Sequence, residues 1–215
     1  MKLNKILALA LSGVMAVSML AGCSGKTDNG DEGNQPPVVA SDAATSMNTY
    51  LDSFEFSTST EQSAYLTEAL KNIKYEDVAK ADANVPNPLG GGKYCVGVYN
   101  TLQNNMRGEA GLKTTFTTAF TPVKGESNSM TYLFMIESKN MTEDAALYQL
   151  ANKLKSVETK DVVTTSDSKN YNATYTGVIS IASVTKTDAN GKNAEEAYMI
   201  LVTLTQNVGS TSVNV

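Results

Sequence analysis

The chain has 215 residues, 22 of them acidic and 17 basic, and it has no histidine. Without histidine there is no Ser-His-Asp or Cys-His catalytic set, and the commonest ligand for zinc, copper and iron is missing. Arg107 is the single arginine and the balance is acidic, so the clustered cations that neutralise phosphates are lacking and nucleic acid is not an expected partner.

At the N-terminus Lys2 and Lys5 precede residues 6–21, ILALALSGVMAVSMLA, which are apolar or small and carry no charge. A positive start, an apolar run slightly short for a membrane span and small residues behind it are the marks of a signal peptide. The run ends Leu20-Ala21-Gly22-Cys23. This resembles the bacterial lipobox, in which Leu, a small residue and Gly or Ala precede the cysteine that is lipidated. The resemblance covers residues 1–23 only. It implies that the thiol of Cys23 takes a diacylglyceryl group, that residues 1–22 are cleaved off, and that Cys23 becomes the first residue of a lipoprotein. Two acyl chains suffice for stable anchoring, at about 0.8 kcal/mol per buried CH₂, so the implied location is the outer face of a cell membrane. Ser24 stands where an Asp would resemble an inner-membrane retention signal, so the outer membrane is implied in a two-membrane bacterium. Loss of Lys2 and Lys5 removes two positive charges from a net −5 and leaves −7.

Residues 24–40, SGKTDNGDEGNQPPVVA, hold little to bury and read as a flexible tether. At ~5–6 Å × √n the tether reaches roughly 20–25 Å. Residues 42–54 place Ala44, Met47, Leu51 and Phe54 near one face of a helix. Ser59-Thr60-Glu61-Gln62 has the spacing of a capping box and opens a second helix with Tyr65, Leu66, Ala69, Leu70 and Ile73 in phase. Pro86, Pro88 and the glycines of NVPNPLGGG then stop regular structure.

The period changes to two beyond that point. Tyr94, Val96 and Val98 alternate with Cys95, Gly97 and Tyr99, and Phe116, Thr118 and Phe120 share a side of TTFTTAFTPV; both runs read as strands. MTYLFMIES (130–138) is almost wholly apolar, as a strand covered on both faces would be. MTEDAALYQLANKLKS is the clearest helix: Thr142 caps it, Glu143 and Asp144 meet its positive end, Lys153 and Lys155 its negative end. Leu147, Leu150, Ala151 and Leu154 form its buried stripe. VVTTS, an alternating run over 171–187 and another over 197–206 follow, the last two joined by a hairpin loop at Asn190-Gly191. The expectation for 41–215 is a single α+β domain. Its N-terminal helices and one mid-domain helix pack on one face of a mainly antiparallel sheet of about six strands.

Candidate chemistry is sparse. With Cys23 lipidated, Cys95 stands alone and reads as a buried thiol. PNPLGGGKY departs from the phosphate-binding loop at Asn87, where Gly is needed, and at Tyr94, where Ser or Thr is needed. Two S-x-x-K tetrads, Ser166–Lys169 and Ser183–Lys186, have the spacing of the penicillin-binding nucleophile, but neither opens an expected helix and no S-D-N or K-T-G companion exists. The pairs Glu143-Asp144 and Glu195-Glu196 are adjacent in sequence and so diverge. Neither DNGDEG nor DANGKNAEE has the spacing of an EF-hand calcium loop. Ten tyrosines and no tryptophan allow a glycan platform, although most of the tyrosines fall on apolar faces and read as core. The strand–helix alternation of two-lobed transporter receptors is missing. No cofactor, metal ligand or catalytic residue is expected, and Cys23 is the one assigned site, for lipidation. The resulting expectation is a membrane-anchored, non-catalytic module that binds an envelope protein or an extracellular ligand. The alternative is an extracytoplasmic hydrolase using carboxylate or Ser/Lys chemistry. Deleting residues 24–40 should leave the melting temperature of the domain unchanged; a fall of several degrees in a thermal denaturation would make the tether part of the fold.

Overall fold

A computed structural model describes residues 42–75, 96–106, 111–113, 115–139, 142–187 and 194–214. They fall within one unit, Asn34–Val215. Cys23, the tether, the glycine run before Lys93, Cys95 and the loop at Asn190-Gly191 lie outside the described residues.

Three apolar-rich segments form the long strands: β2 (Ser127–Lys139), β4 (Asn170–Thr187) and β5 (Ala194–Val213). β5 lies between the other two and is antiparallel to both, paired from Asn170↔Val213 to Thr187↔Ala194 with β4 and from Ser127↔Asn207 to Lys139↔Glu195 with β2. Two short strands share the outer edge of β4: β3 (Val162–Thr164) is antiparallel to it, and β1 (Glu55–Ser57) is parallel. The outer amide and carbonyl of Phe56 in β1 are not left open. The Asn48 side chain accepts from the Phe56 N–H at 2.7 Å and donates to its carbonyl at 2.9 Å, standing in for a further strand. Gly177 of β4 faces the Phe56 ring so closely that a Cβ there would overlap it.

The strands of β5 and β2 are apolar in both phases, so both faces of the sheet need cover. On one face Tyr198, Ile200, Val202 and Leu204 pack with Met130, Tyr132, Phe134 and Ile136 against α1 (Ala43–Tyr50) and a mid-chain helix. On the other, Met199 and Leu201 pack with Leu133 and Met135 against α2 (Thr60–Leu70) and α3 (Val96–Asn105). The mid-chain helix, α4 (Glu143–Leu154), carries the chain from β2 across to β3 and β4. Its Thr142 accepts from the Ala145 N–H, and Leu147, Leu150, Ala151 and Leu154 are all buried, as the spacing predicts.

The α+β class stands, with three corrections. There are five strands rather than about six among the described residues. The helices cover both faces rather than one, because the outward phase of the central strands is as apolar as the inward one. Residues 96–105 are helical, not extended: Val98 and Leu102, four apart, are the fully buried pair, and the alternation around Cys95 masks that spacing. The Phe116–Phe120 run, also expected as a strand, is irregular, with a bend at Thr118, and joins no ladder. It lies along the sheet, tied by the Thr117 N–H to the Tyr132 hydroxyl (3.2 Å) and by the Thr118 carbonyl to the Glu158 N–H (2.6 Å). β1 was not expected, since three residues are too few to show a period.

Gly177→Ala should destabilise the fold by about 1–3 kcal/mol, several degrees in melting temperature. The same change in a Phe56→Ala background should cost clearly less. Additive costs in that double-mutant cycle would contradict the close contact.

Candidate functional site

Among the described residues a cleft opens on each face of the sheet. The first, of about 310 Å³, lies between the start of α2 and the end of α3. Ser59, Glu61, Gln62 and Tyr65 line it from α2, Asn105 and Met106 from the α3 end, and Val178 and Thr203 from the sheet. Ser59 caps α2 by accepting from the Gln62 N–H at 3.2 Å. The Gln62 side chain crosses to the sheet: Nε2 donates to the carbonyls of Leu201 (2.7 Å) and Val178 (3.2 Å), and Oε1 accepts from the Thr203 hydroxyl (3.0 Å). Gln62 therefore pins α2 to β4 and β5, with both amide protons donated and its oxygen engaged by Thr203. Glu61 accepts from the Tyr65 hydroxyl at 2.6 Å, and this carboxylate holds the tyrosine above its ordinary pKa. Beyond Thr203 this face continues as cross-strand polar pairs: Thr131 with Thr203 (2.9 Å), Ser129 with Thr205 (2.8 Å) and Ser127 with Asn207 (2.6 Å).

The second cleft, of about 280 Å³, lies on the opposite face between the irregular segment 119–122 and residues 158–164. Phe120, Pro122, Val162 and Val163 make its apolar walls, Glu158 and Lys160 stand on it as an exposed ion pair at 3.5 Å, and Tyr175 and Gln206 line it from the sheet. Phe120 and Tyr175 are in ring contact, with centroids 5.8 Å apart. The Tyr175 hydroxyl accepts from the Lys160 N–H (3.0 Å) and from Gln206 Nε2 (3.0 Å) and donates to the Lys160 carbonyl (3.2 Å), so its proton and both lone pairs are used. Gln206 is 3% exposed, and its Oε1 is the one buried side-chain oxygen or nitrogen without a hydrogen-bond partner among the described residues. A buried acceptor left in that state costs about 1–3 kcal/mol.

The residues singled out from sequence are not brought together. Ser166–Lys169 forms the reverse turn between β3 and β4, not a helix start. Asp167 at its centre accepts from the Thr165 hydroxyl (2.5 Å), the Tyr171 hydroxyl (2.6 Å) and the Lys169 N–H (3.1 Å), while Ser168 takes the left-handed conformation at φ 60°. This is an Asx-type turn built on Asp167, with the Lys169 N–H among its donors. Ser183 lies within β4. Glu143 and Asp144 occupy the first turn of α4, where Asp144 accepts from the Tyr50 (2.6 Å) and Ser46 (3.3 Å) hydroxyls of α1. Glu195 and Glu196 begin β5, with Lys139 and Lys186 in register with Glu195. Each cleft thus has one lining carboxylate, Glu61 or Glu158, already engaged by a neighbour. Of the described tyrosines, Tyr75, Tyr132, Tyr171 and Tyr198 are buried, and Tyr148 is 51% exposed against Tyr50. Among the described residues no group of His, Cys, Asp or Glu is arranged to hold a metal ion, and no helix is long and apolar enough to cross a membrane. Comparisons with protein families, with curated proteins and with solved structures find no match.

The Asp167 turn has a consequence for acid stability. The Thr165 hydroxyl first, then the Tyr171 hydroxyl and the Lys169 N–H and charge, lower its pKa from 3.8 to about 2, against a smaller opposing effect of burial. A folded pKa below the unfolded one contributes stability that is present above about pH 4 and is lost as the pH falls towards 2. Denaturation series between pH 5 and 2 should show a shallower acid loss for Asp167→Asn than for the parent chain; parallel curves would contradict the assignment.

Proposed function

We propose that the chain is a lipid-anchored module on the outer face of a cell membrane, which holds an envelope protein or an extracellular ligand without transforming it. The anchor rests on the Lys-led apolar run that ends in Leu20-Ala21-Gly22-Cys23. The observation that carries the binding role is the chemistry of the two clefts. They offer side-chain amides, hydroxyls and aromatic rings, and each carboxylate among their linings is committed to a tyrosine or a lysine. Such groups orient and retain a ligand, whereas glycoside hydrolysis needs two carboxyl groups facing each other across the bond that breaks. An acidic net charge and a single arginine favour partners other than polyanions.

The anchor is tested by Cys23→Ala in the producing bacterium. The variant should leave the membrane fraction and lose metabolic labelling with a fatty acid. Continued sedimentation with membranes would overturn the lipoprotein reading.

A further inference from the structure

β5 carries a buried stripe in one phase: Tyr198, Ile200, Val202, Leu204, position 206 and Val208. Five of these are apolar or aromatic core residues, and position 206 is a glutamine that is just as buried, at 3% exposure. A sheet that needed only core at that point would use an aliphatic side chain. The amide is also held in one orientation. The Tyr175 hydroxyl has given its proton to the Lys160 carbonyl, so it can only accept from Gln206, and Nε2 fills that role at 3.0 Å. Oε1 is left as an unpaired acceptor on a residue that lines the second cleft.

We infer that this cleft is a binding site for a compact neutral group that donates an O–H or N–H to Gln206 Oε1 and lays an apolar face on Phe120. Neutrality follows from the lining, whose only charged side chains, Glu158 and Lys160, are exposed and paired with each other. The volume, about 280 Å³, is ample for one sugar ring or one amino-acid side chain. Oε1 has no solvent contact of its own, so a donor from the cleft reaches it only when part of the lining moves aside. A hexose unit of a glycan and a neutral polar amino acid both carry this chemistry. The inference rests on the proposed binding role and adds the site and the class of ligand.

The test is a titration of the isotope-labelled full-length protein, followed by NMR. One arm uses methyl glucoside and N-acetylglucosamine; the other uses the N-acetyl amides of serine and asparagine. Glucuronate and N-acetylaspartate serve as charged counterparts. One neutral arm should give saturable shifts of the Gln206 side-chain amide and the Phe120 ring, with the charged counterpart at least about tenfold weaker, the factor that 1.4 kcal/mol represents. Gln206→Met should abolish the response while the protein stays folded, since Tyr175 keeps both bonds to Lys160. Thr164→Tyr, an exposed edge position on the cleft, should block it from outside and guards against misfolding of the first variant. Absence of saturable shifts in both neutral arms, or a response that survives both variants, would overturn the site. Either result leaves the Cys23→Ala fractionation to judge the anchor separately.

Discussion

Every layer of this fold is arranged around β5. It is paired along both edges, to β4 and to β2, and between Ala197 and Val202 its side chains are apolar in both phases. A strand of that kind is stable only when apolar material covers both faces. The chain supplies α1 and α4 on one side and α2 and α3 on the other, and among the described residues the two core clusters lie on opposite faces of the sheet. The order of elements follows from the same need. β2 and β4 run parallel to each other on either side of β5, and α4 is the crossover that joins them while covering one face.

Past Val202 this regime changes, and the two clefts lie along that part of the strand. One face of the sheet turns to Thr, Ser and Asn in cross-strand pairs, and the other keeps a last apolar patch around Val163, Tyr171, Ala173 and Val208. On the Gln206 face helices no longer define the surface at that end. Irregular segments do, and they are fastened by single polar side chains: Tyr132 to Thr117, Tyr175 to Lys160, Asp167 to its own turn. Lys153 adds a cation–π contact, 4.9 Å from the Phe116 ring centroid. Gln62 performs the same service for α2. Fully satisfied polar fasteners of this kind specify one arrangement of otherwise unpaired backbone. Against that background the half-satisfied amide of Gln206 is the exception that needs a reason.

The parts of the fold legible in sequence are those where one rule acts alone. The α4 helix carries its cap, its end charges and its stripe within one continuous stretch, and all agree with the structure. The β4–β5 pairing and the two-sided burial of β2 follow from length, alternation and continuous apolarity. Where two periods overlap, the reading fails: Val96 and Val98 suggested a strand, while Val98 and Leu102 are the residues that pack. Phe116 and Phe120 alternate because they lie on a sheet, not because they belong to one. The candidate site was largely hidden, since it assembles from residues 119–122, 158–164, 175 and 206. One signal was present: a glutamine in phase with an aliphatic stripe. The S-x-x-K tetrad at 166–169 had the opposite character, a recognisable spacing that the fold uses as a turn.

The proposed role, holding a partner close to a membrane, rests on the lipobox resemblance at Leu20–Cys23 and on the chemistry of the clefts. The most direct measurement exposes the full-length protein to glycan and peptide fractions from the producing cell's envelope and compares bound and free pools by mass spectrometry. A component retained by the protein and released with its mass unchanged is the expected result. New, shorter products accumulating in the free pool would contradict the binding role and make the chain a histidine-free hydrolase.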